Sequence, residues 1–129
     1  MPAVTAPKRT ILVVDDNCDA ADTLTALLRQ LDHNVETAYE GESALATARR
    51  MRPDIIFLDL ALPGLDGFRI AEELRRDRAF DRTLIVAATG LANDDDRGRA
   101  HAVGIDVYII KPIEPRFIVS FVGDARQKR

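Results

Sequence analysis

Ile55-Ile56-Phe57-Leu58-Asp59 is an unbroken apolar run that stops on a carboxylate. A strand with one wet face alternates apolar and polar residues, whereas a run without alternation marks a strand covered on both faces, as in parallel sheets flanked by helices. Three other short runs share this design. Ile11-Leu12-Val13-Val14 leads into Asp15 and Asp16, Leu84-Ile85-Val86-Ala87-Ala88 into Thr89, and Val107-Tyr108-Ile109-Ile110 into Lys111 and Pro112. If the runs are neighbouring parallel strands, carboxylates, a hydroxyl and an ammonium converge at one edge of one sheet.

The segments between the runs read as helices. After a first strand over Thr10 to Val14, the spacing of Ala21, Leu24, Leu28 and Leu31 puts them on one helical face. Val35 to Ala38 alternates, as an edge strand should. A second helix turns Ala44, Leu45 and Ala48 inward and stops near Pro53, because the residue before proline resists helical geometry. After Asp59, Pro63-Gly64 sets a turn and Asp66 caps a third helix, which buries Ile70, Ala71 and Leu74 and exposes Glu72, Glu73, Arg75 and Arg76. Asn93 is expected to cap a fourth helix, whose opening Asp94, Asp95 and Asp96 suit the positive end of its dipole and which Gly104 ends. Pro115 opens a last helix with Ile118, Phe121 and Val122 inward.

Strand and helix alternate with short connections, so the fold class is α/β. The expected architecture is a single doubly wound domain, a five-stranded parallel sheet with helices on both faces. In the strand order 2-1-3-4-5, ligands bind beyond the carboxyl ends of the strands at the switch point between strands one and three. Those strands deliver Asp15, Asp16 and Asp59.

The chain has 129 residues, 47% of them hydrophobic and 30% charged, which suits one globular domain. A net charge of −3 and a pI near 5.4 argue against binding nucleic acid or an anionic membrane. No apolar run approaches the roughly 18 residues of a membrane span. Residues 1–8 read as a flexible tail rather than a signal peptide, because they contain no apolar stretch. Cys18 is the sole cysteine, which excludes an internal disulfide and suits a reducing, cytoplasmic setting.

Clustered carboxylates repel: two unit charges about 4 Å apart cost roughly 4 kcal/mol near a protein surface. A cation relieves this. Mg²⁺ (or Mn²⁺) is the natural choice, a hard ion that takes carboxylates, waters and a phosphate oxygen. Such a site can support attack by an aspartate oxygen on a phosphoryl group, with Lys111 as a second positive charge and Thr89 as a hydroxyl donor.

With VVDDN at 13–17, LDLALPGLDG at 58–67, AATG at 87–90 and VYIIKP at 107–112, residues 9–123 resemble the response regulator receiver domain of two-component and phosphorelay signalling. That resemblance implies a flavodoxin-like fold, with residues 124–129 as the end of the last helix or a tail. It makes Asp59 the phosphoacceptor and a histidine kinase or histidine phosphotransfer protein the donor. It assigns Mg²⁺ to Asp16, Asp59 and the carbonyl of Ala61, with Asp15 acting through a metal-bound water. Lys111 would pair with the phosphoryl oxygen, Thr89 and Tyr108 would switch, and Gly90 and a cis bond before Pro112 would support the site. The partner surface would be the fourth helix, fifth strand and fifth helix, reaching a downstream protein. Direct contact with nucleic acid or membrane is not expected. The implied product is a signalling module that catalyses only its own phosphoryl transfer and slow autodephosphorylation.

Plainer readings exist for each feature. Asp15 and Asp16 can cap a helix, Asp59 can be a loop residue, Thr89 a turn residue, and Lys111 can simply end a strand. Tyr108 can be a packed strand tyrosine. Cys18 reads as a small buried or half-buried filler, and His33 and His101 as surface residues without metal-ligand partners. A haloacid-dehalogenase-type phosphohydrolase also uses a strand-end aspartate and Mg²⁺, but places its nucleophile on the first strand as Asp-x-Asp. A flavodoxin-like cofactor binder needs a Ser/Thr/Gly-rich phosphate loop where this chain has DDNCDAAD. A receiver belonging to a hybrid histidine kinase is a further alternative within signalling.

Overall fold

The computed structural model describes residues 8–62, 64–90 and 94–124. Residues 1–7 of the expected 1–8 tail, Pro63 of the expected turn, the Asn93 cap and residues 125–129 of the expected 124–129 end lie outside the described residues. Within them the chain alternates β1 (Thr10–Val14), α1 (Cys18–Gln30), β2 (Asn34–Ala38), α2 (Gly41–Met51), β3 (Ile55–Leu58), α3 (Gly67–Arg75), a 3-10 turn (Arg78–Phe80), β4 (Leu84–Thr89), α4 (Asp94–Ala102), β5 (Val107–Ile110) and α5 (Pro115–Asp124). All strand pairs are parallel, in the order β2-β1-β3-β4-β5. Val14 lies opposite Leu58, Leu58 opposite Ala87, and Thr89 opposite Ile110, so β1 and β3 end level while β4 and β5 run two residues further.

Alternate side chains of each strand feed two cores, as the period of two requires. Leu12, Val14, Ile56, Leu58, Ile85 and Ala87 face Ala44 and Ala48 of α2 and Ile70, Ala71 and Leu74 of α3. Ile11, Val13, Ile55, Phe57 and Val86 face Ala21 and Leu28 of α1 and Ile118 and Val122 of α5. Asn17 caps α1, accepting from Ala20 N at 3.1 Å, and Asp66 caps α3, accepting from Arg69 N at 2.9 Å. No described helix is long and apolar enough to cross a membrane.

Four expectations about side chains need correction. Leu31 is exposed, because α1 ends at Gln30 and Leu31 has left the inward face. Its place in the buried set goes to Thr25, whose hydroxyl is 2.8 Å from that of Thr37 and so is satisfied under cover. Arg75 is not a surface residue, its side chain being only 16% exposed. It donates to the carbonyls of Gly104 (2.9 Å), Phe80 (2.6 Å) and Thr83 (3.0 Å) and to Asp106 Oδ2 (2.7 Å). One guanidinium thus ties the end of α3 to the turns that precede β4 and β5. Gly104 permits this: its φ is +94°, and a Cβ there would lie 2.6 Å from Arg75 Cγ.

His33, in the turn from α1 to β2, is buried rather than exposed, and its Nδ1 accepts from Arg9 N at 2.9 Å. Burial, followed by the neighbouring charge of Arg9, lowers its pKa below the usual histidine value. His101 is exposed, as expected. Cys18 is exposed rather than a filler, because it opens α1 beyond the sheet edge.

Candidate functional site

The parallel ladder continues one step past the strands and carries the site with it. Asp15 N donates to Ala38 O at 3.2 Å, Asp59 N to Val14 O at 2.9 Å, and Lys111 N to Thr89 O at 2.8 Å. The backbone of each key residue is therefore held by the neighbouring strand. Asp15 and Asp59 are buried and Asp16 is exposed, and each offers a carboxylate oxygen within 4.8 Å of the others.

Both oxygens of Asp15 are engaged. Oδ1 accepts from Asn17 N at 3.0 Å and Oδ2 from Lys111 Nζ at 2.7 Å. Lys111 Nζ also lies 3.5 Å from Asp59 Oδ2. Asp59 Oδ1 accepts from Ala61 N at 3.1 Å, which fixes the carboxylate plane. Desolvation is the main cause that raises the pKa of Asp59, and the charge of Asp15 adds to it, against lowering by the Ala61 N–H and Lys111. For Lys111, burial favours the neutral amine, but the hydrogen bond to Asp15 and the charges of Asp59 and Asp15 outweigh it and raise the pKa. The amine is therefore held in its charged form beside an acidic cluster that it only partly neutralises.

Thr89 ends β4 fully buried, next to Lys111, and Gly90 after it is exposed, with no heavy atom within 4 Å of where a Cβ would stand. Ala61 is exposed beside Asp59. The Lys111–Pro112 bond is cis. Tyr108 is set back from the edge, opposite Ala87 and half-buried, with the guanidinium of Arg97 4.9 Å from its ring centroid. A cavity of about 670 Å³ opens from the cluster between α1 and α5, where Leu24, Leu27, Phe57 and Ile118 join Asp15 and Asp59 in its wall. Leu91, which follows Gly90, lies outside the described residues.

Sequence reasoning thus located the strand-end residues that converge. It missed the Asn17 N–H on Asp15, although an Asx turn after a strand-end aspartate is a readable signal. It also missed Arg97, for which no local pattern points to Tyr108.

A family model described as the response regulator receiver domain matches residues 11–122. This chain belongs to that family. The DNA-binding response regulator MtrA of Mycobacterium tuberculosis is 35% identical over 122 residues, which are 95% of this receiver chain and 52% of MtrA. The receiver chain spans about half the length, or less, of such curated relatives. The chemotaxis protein CheY4 of Vibrio cholerae superposes with a TM-score of 0.85 at 27% identity, over 90% of this chain and 97% of that one. The receiver domain of the sensor histidine kinase PA1611 from Pseudomonas aeruginosa gives 0.80 at 31%, over 90% and 95%, and holds a magnesium ion in its active site cleft. The present receiver is a signalling module of the two-component type. Its Asp15, Asp16 and Asp59 cluster, all hard oxygen donors with one residue open to solvent, fits Mg²⁺.

Proposed function

We propose that this receiver accepts a phosphoryl group on Asp59 from a phosphohistidine of a kinase or phosphotransfer protein, in the cytoplasm. The observation that carries this reading is the setting of the Asp59 carboxylate. One oxygen is anchored by Ala61 N–H, and the other lies 3.5 Å from Lys111 Nζ in an acidic cluster. A fixed carboxylate is a ready nucleophile, because the entropy of orienting it is lost on folding rather than during reaction. An Asp59 oxygen forms the new O–P bond as the P–N bond to the donor imidazole breaks, and the imidazole keeps the electron pair and takes up a proton.

Asp16 and Asp59, with the Ala61 carbonyl, would hold Mg²⁺, and Asp15 would contact it through water. When bound, the ion supplies positive charge to the phosphoryl oxygens during transfer. Lys111 moves from the Asp15–Asp59 pair to a phosphoryl oxygen. The Thr89 hydroxyl donates a hydrogen bond to another, and Gly90 leaves room for the group to approach. Tyr108 then turns inward, and the surface formed by α4, β5 and α5 changes its fit to a downstream protein.

Incubation with Mg²⁺ and a small-molecule phosphodonor tests the first step. Intact mass should rise by one phosphoryl group in the parent and stay unchanged in Asp59→Asn. Equal labelling of both, or none in either, would remove the assignment.

A further inference from the structure

Tyr108 lies on the face of β5 that looks toward α4, half-buried against the core that contains Leu58 and Ala87. Arg97, exposed on α4, places its guanidinium 4.9 Å from the ring centroid. A guanidinium over an aromatic face is attracted by the ring's negative π cloud, and its weak hydration lets it stay there. The ring is therefore held from both sides, by apolar packing on one and by a cation on the other.

That arrangement has a direction. A ring that turns further inward, toward the buried end of β4 at Thr89, leaves the cation behind or drags it out of water. Drawing a guanidinium out of water costs far more than the contact returns, so the contact is given up. We propose that Arg97 is a latch on Tyr108, a positioning residue that favours the half-exposed ring of the unphosphorylated receiver and raises the threshold for switching. The proposal rests on Asp59 as phosphoacceptor and adds a residue that regulates the response to it. Latch strength is adjustable by one surface side chain that touches none of Asp15, Asp59 or Lys111, so the threshold can change while the chemistry stays fixed.

The chain has two tyrosines and no tryptophan, so Tyr39→Phe leaves Tyr108 as the sole phenol reporter. In that background the parent is compared with Arg97→Met, which keeps an unbranched stem without charge, and Arg97→Lys, which restores charge. Beryllofluoride with Mg²⁺ serves as the phosphoryl mimic. Burial, followed by the charge of Asp96, raises the Tyr108 pKa, while Arg97 opposes them. The phenol of Arg97→Met should accordingly titrate higher than that of the parent before any mimic is added. Arg97→Met should bind beryllofluoride about two- to fivefold more tightly, the equivalent of one exposed cation–π contact. Arg97→Lys should fall between the two, and thermal stability should not follow this order. Equal or weaker mimic binding by Arg97→Met, in proteins whose Tyr108 fluorescence still responds, overturns the latch and leaves the phosphoacceptor reading standing. If the parent itself neither binds the mimic nor takes up phosphate, both fall together.

Discussion

Arg75→Ala is expected to be severely destabilising although Arg75 is a helix-end arginine. Its four hydrogen bonds end on the carbonyls of Gly104, Phe80 and Thr83 and on Asp106 Oδ2, and the Arg75 and Asp106 side chains are 16% and 17% exposed. A hydrogen bond to a charged group contributes about 1.5–3 kcal/mol, but water entering the gap replaces part of each lost bond. Breaking a buried pair by removing one member costs about 3–5 kcal/mol, and the partial exposure here argues for the lower end, about 3 kcal/mol. For a domain of this size that corresponds to a fall in Tm of about 10 °C. Asp106→Asn should cost less, about 1.5 kcal/mol, because an amide oxygen can still accept from Ile85 N, as the carboxylate does at 2.9 Å. Urea unfolding of the parent, both single mutants and the double mutant should give a coupling energy of about 1 kcal/mol. An Arg75→Ala midpoint within about 0.5 kcal/mol of the parent at unchanged m-value would refute the argument.

Three further outcomes are expected. The lowered pKa of His33 means that the unfolded chain binds its proton more readily than the folded one, so the stability contributed by neutral His33 is full above its ordinary value near 6.5 and is lost as pH falls through the folded value. Urea midpoints between pH 7.5 and 5 should decline less in His33→Gln than in the parent, and parallel profiles would contradict this. Gly67→Ala should destabilise by about 1–3 kcal/mol and weaken Mg²⁺ binding, since its Cβ would lie 2.5 Å from Asp59 O and 2.7 Å from Leu60 Cα, backbone atoms with nowhere to go. Thermal melts with and without Mg²⁺ check both effects. Thr89→Ala should keep phosphorylation but blunt the conformational response, because one hydrogen bond to a charged group contributes about 1.5–3 kcal/mol while inverting a two-state population takes about 5.5 kcal/mol. Mass and Tyr108 fluorescence read on the same sample would separate the two, and equal responses in mutant and parent would count against the role.

The strands were legible because four of them contain unbroken apolar runs: β3 and β5 begin and end where their runs do, β1 adds Thr10 before its run and β4 adds Thr89 after it. The site was legible for the same reason, since a parallel sheet of known order brings the residues after its runs to one edge. Side chains whose surroundings are set by distant segments were not legible. Arg75 follows Leu74 on an amphipathic helix and by local pattern belongs to solvent. Only the fold brings the Gly104 and Asp106 turn against it. His33 read as a surface residue because its donor, Arg9, precedes the first strand and lies far from it in sequence. Thr25 is buried without cost only because its hydroxyl partner, Thr37, lies on β2, a pairing that no local pattern shows.

The backbone ladder that runs one rung beyond β1, β3 and β5 has an evolutionary consequence. Asp15, Asp59 and Lys111 are fastened to the stiffest layer of the protein rather than to the connections that follow them. Those connections can drift in length and composition, and so acquire new docking preferences, without moving the reacting atoms. Fidelity to a partner and competence for chemistry are therefore inherited separately.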